Sequence, residues 1–274
     1  MKGISVFLVL LCIPFSAVKA QTYMEYIDSS FIYLDNGNLA AAEQALLKAL
    51  RSEPGNPENV MLLSNLGTIQ RRMGKKREAL QSYDNALVMA PQSIRLLENR
   101  AALLAEMDSL QRARDDYSLI LLIDDKSENA LYRRGLVELE QGDTAAARRD
   151  FERLLTIDPQ STEACMGMAA LMKYRGYYTD AINLYTLLLR SLPQEATLYL
   201  NRAEAYYYTK QYNRADADVA QAIALAPDDP LPYVLRGRLK LVRYAKEEAQ
   251  QDFDKAVALG FDARIIDEIL ATNK

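Results

Sequence analysis

Alanine recurs along the chain at a fixed interval. Ala42, Ala79, Ala113, Ala147, Ala181, Ala215 and Ala249 are spaced by one gap of thirty-seven residues and then five of thirty-four. Twelve residues before each stands a small residue: Ser30, Gly67, Ala101, Gly135, Ala169, Ala203 and Gly237. Four residues after each stands a larger apolar one: Leu46, Tyr83, Tyr117, Phe151, Tyr185, Val219 and Phe253. Pro54, Pro91, Pro159, Pro193 and Pro227 close five periods, and Asp125 and Phe261 take that place in the other two. Within the period from Val60 to Ser93, Leu63, Leu66, Gly67 and Gln70 share one helical face. Gly74 interrupts it, Ala79, Tyr83 and Ala86 form a second face, and Pro91 ends that run. Each period therefore predicts two antiparallel helices. The small residue and the alanine let them approach, and the larger residue fills the space between pairs. A lone pair cannot bury both of its apolar faces, so the pairs must stack. The fold class is all-α, an α-solenoid.

The set Leu63, Leu66-Gly67, Ala79, Tyr83, Ala86 and Pro91 resembles the pattern of the tetratricopeptide repeat family. The resemblance covers Tyr23 to Ala263 as seven repeats: 23–56, 60–93, 94–127, 128–161, 162–195, 196–229 and 230–263. It implies a right-handed superhelix of stacked helix pairs. The end repeats depart from the pattern, with Ser30 in the first at the small-residue place and Tyr244 in the last where a turn glycine is usual. Beyond them, Asp262 is placed to cap a final helix over 264–274. There Ile265, Ile266, Ile269 and Leu270 form an apolar stripe that covers the last repeat.

Arginine stands just before the small residue in four repeats, as Arg100, Arg134, Arg202 and Arg236. Sixteen residues after each lies an aspartate: Asp116, Asp150, Asp218 and Asp252. Where the arginine place holds Leu66 or Met168, the partner place holds Ser82 or Leu184, and the first repeat has Ser29 with Ala45. The two residues occur together or not at all, which predicts ion pairs joining the two helices of a repeat rather than an anion-binding ladder.

In this family the first helix of each pair lines a concave groove in which partners lie. The resemblance places Asn65, Asn99, Arg133 and Asn201 on that wall, with Arg71, Lys173, Tyr174, Tyr207 and Tyr208 one and two turns onward. Nine of the 17 tyrosines fall between Tyr174 and Tyr212, marking that stretch as the candidate contact surface. Tyr185, Tyr199 and Tyr206 occupy packing places. For Tyr174, Tyr178, Tyr207 and Tyr208, groove and packing remain equal alternatives. Some family members grip a terminal carboxylate with a set of Lys, Asn and Arg. Asn99 and Arg133 match two members of that set, whereas Ser64, Thr68 and Asn129 replace the others, so no such clamp is expected.

The first twenty residues read differently. Lys2, an apolar run from Ile4 to Phe15, and Val18-Lys19-Ala20 match a secretory signal peptide cleaved before Gln21. The run is short for a membrane span. Bulky Leu11 before Cys12 disfavours a lipid-anchored start. Export to the periplasm or beyond is expected, with no transmembrane span after cleavage. The remaining chain would hold one thiol, Cys165, at a packing place, and no disulfide.

Composition narrows the function further. The chain has 274 residues, no His and a formal net charge of -4. Imidazole-based metal sites and catalysis are excluded, and a broad basic face for nucleic acid is not expected. No nucleophile elbow or phosphate loop occurs, so no enzyme, cofactor or metal role is expected. The reading is a non-catalytic scaffold of the cell envelope that binds an extended segment or helix of a partner protein. The alternative is an accessory factor in glycan capture or envelope assembly, with sugar rings stacked on the tyrosines.

Overall fold

A computed structural model describes residues 15–272. Most of the expected leader, residues 1–14, lies outside the described residues. The described residues form helices and turns, with no strand: α1 (Phe15–Asp35), α2 (Leu39–Ser52), α3 (Asn59–Arg72), α4 (Lys76–Met89), α5 (Ile94–Glu106), α6 (Leu110–Ile123), α7 (Glu128–Glu140), α8 (Thr144–Ile157), α9 (Thr162–Tyr174), α10 (Tyr178–Ser191), α11 (Ala196–Tyr208), α12 (Tyr212–Leu225), α13 (Leu231–Val242), α14 (Lys246–Ala258) and α15 (Ala263–Thr272). Odd-numbered helices up to α13 are the first of each pair and even-numbered ones the second. The chain divides into two compact units between Ala130 and Leu131, inside α7.

In the first unit the helices from α1 to α6 pack in chain order, ending with α5 on α6, and α3 also touches α5. In the second unit the same order runs from α8 to α14, and α11 touches α13. The small residues are set by contact. A Cβ on Gly67 would lie 2.7 Å from the Tyr83 ring, and one on Gly237 would lie 2.5 Å from the Phe253 ring. Phe151 is pressed from two sides, since Cβ atoms on Gly135 and Gly167 would lie 2.5 and 2.4 Å from its ring. No side chain fits there without displacing the aromatic residue. All seven repeat alanines are fully buried.

The turn inside each pair needs one residue in the left-handed region. Gly37, Gly74, Gly142 and Gly176 supply it in four repeats. Asp108, Lys210 and Tyr244 hold the same turn place with φ of 57, 59 and 61°. Side-chain caps occur where the sequence provides them: Asn38 accepts from the Ala41 N–H at 3.1 Å, Asp143 from that of Ala146 at 2.9 Å, and Ser161 from that of Ala164 at 3.2 Å.

At the C-terminal end, Asp262 Oδ1 accepts the Arg264 backbone N–H at 2.9 Å and so fixes the start of α15. Ile266 is buried against Phe253 and Ala256, with Ile269 and Leu270 half-buried beside it. Ile265, expected in the same stripe, is exposed instead. It precedes Ile266 by one residue, a rotation of about 100° around the helix, which turns it away from the buried stripe.

Candidate functional site

The interior polar groups decide which charged side chains remain available to a partner. Arg100 donates from Nε and a terminal nitrogen to the two oxygens of Asp116, at 2.8 and 2.7 Å. Arg134 with Asp150, Arg202 with Asp218, and Arg236 with Asp252 repeat this two-point geometry. The aspartates are buried, and the guanidinium pKa values are raised, chiefly by these hydrogen bonds and against the opposing effect of burial.

The pairs lie within their own repeats as the spacing predicts, and the geometry adds a contact beyond them. Arg100 reaches back to Asp84 of the preceding repeat at 2.7 Å, and Arg202 reaches Thr186 at 3.1 Å. A guanidinium has five donors and the aspartate takes two, so the free edge ties successive repeats together. Arg236 has Ala220 at the corresponding place, and Lys240 joins its aspartate at 2.9 Å instead.

Where the arginine place holds Leu66, a different network fills the gap. Ser82 Oγ donates to Gln70 Oε1 at 2.7 Å, and Gln70 Nε2 donates to Glu43 Oε1 at 3.1 Å. Lys75 closes the chain on the other Glu43 oxygen at 2.5 Å.

On the first-helix face of the first unit, Asn65 and Asn99 are half-buried. Asn65 lines a cavity of about 250 Å³ with Met61, Ser64, Arg95 and Leu96, among others. Arg71 is tied to Glu106 of the next first helix, its Nε donating at 3.1 Å. It is therefore already committed within the chain. Of the two places where a carboxylate clamp would need lysine, Ser64 is buried and Asn129 donates to Glu98 at 2.7 Å; at the asparagine place, Thr68 Oγ1 lies 3.1 Å from Tyr83 Oη.

The face of the second unit is aromatic. Arg133 is exposed, 5.9 Å from the centre of the Tyr132 ring. Lys173 donates to Asn201 Oδ1 at 2.6 Å and forms an ion pair with Glu204, so Lys173 and the Asn201 oxygen are committed within the chain. Tyr174 and Tyr208 are exposed, at 56% and 48%. Tyr207 and Tyr178 are half-buried against the core around Ala203 and Val219. Tyr178 opens α10, a second helix, so it is a packing residue. It supports the face by stacking on Tyr208, with ring centres 4.8 Å apart and planes 10° from parallel. Tyr207 meets Tyr208 edge-on at 5.6 Å and Tyr212 at 6.0 Å.

Two members of this cluster were missed in the sequence. Arg238 on α13 places its guanidinium 4.6 Å from the Tyr207 ring centre and 5.9 Å from that of Tyr208. Its signal was available, since it follows the small residue Gly237 on a first helix, but it was masked by its neighbour Arg236, which the Arg/Asp pattern explains. Tyr212 lay at the end of the tyrosine-rich stretch and opens a second helix. Among the described residues, no group of His, Cys, Asp and Glu is arranged to hold a metal ion, and no helix is long and apolar enough to cross a membrane. Cys165 is free and half-buried beside Ala169 and Tyr185.

Helix pairs of one length, joined at one turn place and packed through one set of small residues, define a helical-repeat scaffold. Three models of the tetratricopeptide repeat match the chain, over residues 32–94 and 64–129, over 128–161, and over 196–229. The chain belongs to the tetratricopeptide repeat family. It is 39% identical to a tetratricopeptide repeat protein of known crystal structure from Parabacteroides merdae. That match has a TM-score of 0.84 and covers 92% of this chain and 99% of that one. It also resembles Pseudomonas aeruginosa pilF in fold, with a TM-score of 0.56 at 21% identity over 78% of this chain and 96% of that one. RNA polymerase II-associated protein 3 of Xenopus tropicalis is 33% identical over 102 residues, which is 36% of this chain and 15% of that protein. The chain thus spans only a small part of the curated relatives it matches.

Proposed function

We propose that the protein is a non-catalytic scaffold that holds an extended segment or a helix of a partner protein against its first-helix faces, with the main contact on the second unit. The observation that carries this reading is the exposed ring surface of Tyr174 and Tyr208, with Tyr178, Tyr207 and Arg238 packed behind Tyr208. Tyrosine offers contact area with few rotamers to freeze and a hydroxyl for a backbone group, so it concentrates binding energy. A repeat array also leaves its first helices side by side along one wall, which suits an extended guest.

We place this scaffold in a bacterial cell envelope, exported by the leader read at residues 1–20. A bacterial relative similar over nearly its whole length is in keeping with that setting. Photo-cross-linking from positions 174 and 207 in the native compartment tests the binding reading. Adducts to one protein partner from both positions are expected, and labels that capture nothing above background would refute it. Retention on a cell-wall polysaccharide column, lost in Tyr208→Ala, would favour the glycan role instead. N-terminal sequencing of exported protein should read from Gln21.

A further inference from the structure

The cations of α13 differ in one respect. Arg236 is held by Asp252, and Lys240 shares the same aspartate. Arg238, on the same helix and half-buried, has no acidic partner among the described residues. Its guanidinium lies over the Tyr207 ring instead. Ring faces attract a cation without neutralising it or occupying its in-plane N–H donors. Partial burial strengthens any charge interaction made there and raises the cost of leaving those donors unmet.

We propose that Arg238, backed by Tyr207 and Tyr208, is a subsite for a carboxylate side chain of an acidic peptide segment, with a neighbouring apolar or aromatic side chain of that segment resting on exposed Tyr208. The inference rests on the partner-binding reading above and names the chemistry of that partner. A planar guanidinium matches a carboxylate through two parallel N–H bonds. A dianionic phosphate calls for more than one cation, and the lysines of this face and helix, Lys173 and Lys240, are already paired with Glu204 and Asp252. The stack of Tyr178 on Tyr208 holds the outer ring still, so a guest side chain meets a surface already in place. Glu and Asp therefore set register at Arg238, and the ring supplies contact.

A phage library of random short peptides, selected on the full chain, tests this. Enriched peptides should carry Asp or Glu beside a bulky apolar residue. A synthetic copy of the best peptide should bind roughly tenfold more weakly when its acidic residue is changed to the amide, or when the protein carries Arg238→Gln. Arg238→Lys should retain part of the affinity, and added salt should weaken wild-type binding but not binding to the Gln variant. The peptide-side change keeps the test valid even if Arg238→Gln alters folding, which circular dichroism reports.

Enriched peptides that lack acidic residues, or that bind Arg238→Gln as tightly as wild type, overturn the carboxylate subsite and leave the scaffold reading standing. Failure to enrich any peptide overturns both. Binding of an acidic polysaccharide such as polygalacturonate that depends on Arg238, in place of peptides, overturns the protein partner and assigns the site to glycan.

Discussion

The first-helix faces of the two units grow from one repeat and differ in what the repeat leaves free. Five residues after the small residue of the first helix, the first unit has Asp35, Arg72 and Glu106, whereas the second has Glu140, Tyr174, Tyr208 and Val242. On the first unit's face, Arg71 and Glu106 are spent on each other. On the second unit's face, Lys173 is paired and Arg238 is set against rings. The interiors differ less: both units hold Arg/Asp pairs, Arg100 with Asp116 in the first and Arg134, Arg202 and Arg236 with theirs in the second, and the first adds the network of Ser82, Gln70 and Glu43 where Leu66 stands. Small residues, alanines and aromatics fix the backbone. Surface chemistry is then written at places the packing does not constrain.

The interior comparison is broken most strongly at its aromatic residues. Phe151→Ala should destabilise by about 4 kcal/mol, because Gly135 and Gly167 cannot close over the space it leaves. Tyr83→Ala should cost less, since one glycine, Gly67, faces that ring and Thr68, beside its hydroxyl, is an exposed residue. Urea unfolding followed by circular dichroism measures both. Equal losses would show that the double contact at Phe151 adds nothing.

Next in size is the ion pair. Asp150→Leu should cost about 3 kcal/mol by leaving Arg134 without its buried partner. Glu138, at 3.9 Å, compensates only in part. Arg134→Met with Asp150→Leu should melt no lower than Asp150→Leu alone, whereas additive losses would show that the two are not coupled. In the first unit, Ser82→Ala at the corresponding place should cost about 1 kcal/mol, since it removes one neutral hydrogen bond.

The helix pairs and the Arg/Asp pairs were legible in the sequence because each rests on a spacing that recurs. The link from Arg100 to Asp84 was not, since Thr186 and Ala220 stand at the same place in other repeats and no residue type recurs there. The face was legible only in part. A run of tyrosines announces surface, but whether Tyr178 packs or protrudes depends on the tilt of the neighbouring helix. Arg238 needed the structure because its meaning lies in the rings beneath it and in the missing carboxylate.

A smaller effect separates two buried tyrosines at one repeat place. Tyr83 Oη has Thr68 at 3.1 Å, whereas Tyr185 Oη is buried with no hydrogen-bond partner among the described residues. Tyr83→Phe should cost about 1 kcal/mol, and Tyr185→Phe should be neutral or stabilising. The Tyr185 phenol is pushed above its ordinary value of 10.0, chiefly by burial and secondly by the charge of Glu204. The folded state then holds this proton where the unfolded chain releases it. Its stabilising contribution is complete below about pH 10 and is lost as pH rises beyond that. Tyr185→Phe should blunt the alkaline fall in stability without abolishing it, because Tyr132 is raised in the same direction by burial.

The smallest effect lies in the turns. Asp108 in the first unit and Tyr244 in the second both occupy the left-handed place that glycine holds elsewhere, at φ of 57 and 61°. Aspartate tolerates that backbone because its short side chain bonds locally, whereas tyrosine gains nothing comparable and bears the full Cβ clash. Tyr244 is 88% exposed, so its removal sacrifices little packing. Tyr244→Gly should therefore raise stability by about 0.5–1 kcal/mol, reduced from the full clash by the greater freedom of glycine in the unfolded chain. Asp108→Gly should change stability by a few tenths of that scale at most. Paired thermal melts decide it. A loss of stability in Tyr244→Gly would mean that this exposed ring is held by contacts stronger than its backbone strain, and would move attention from the first-helix face to the turn.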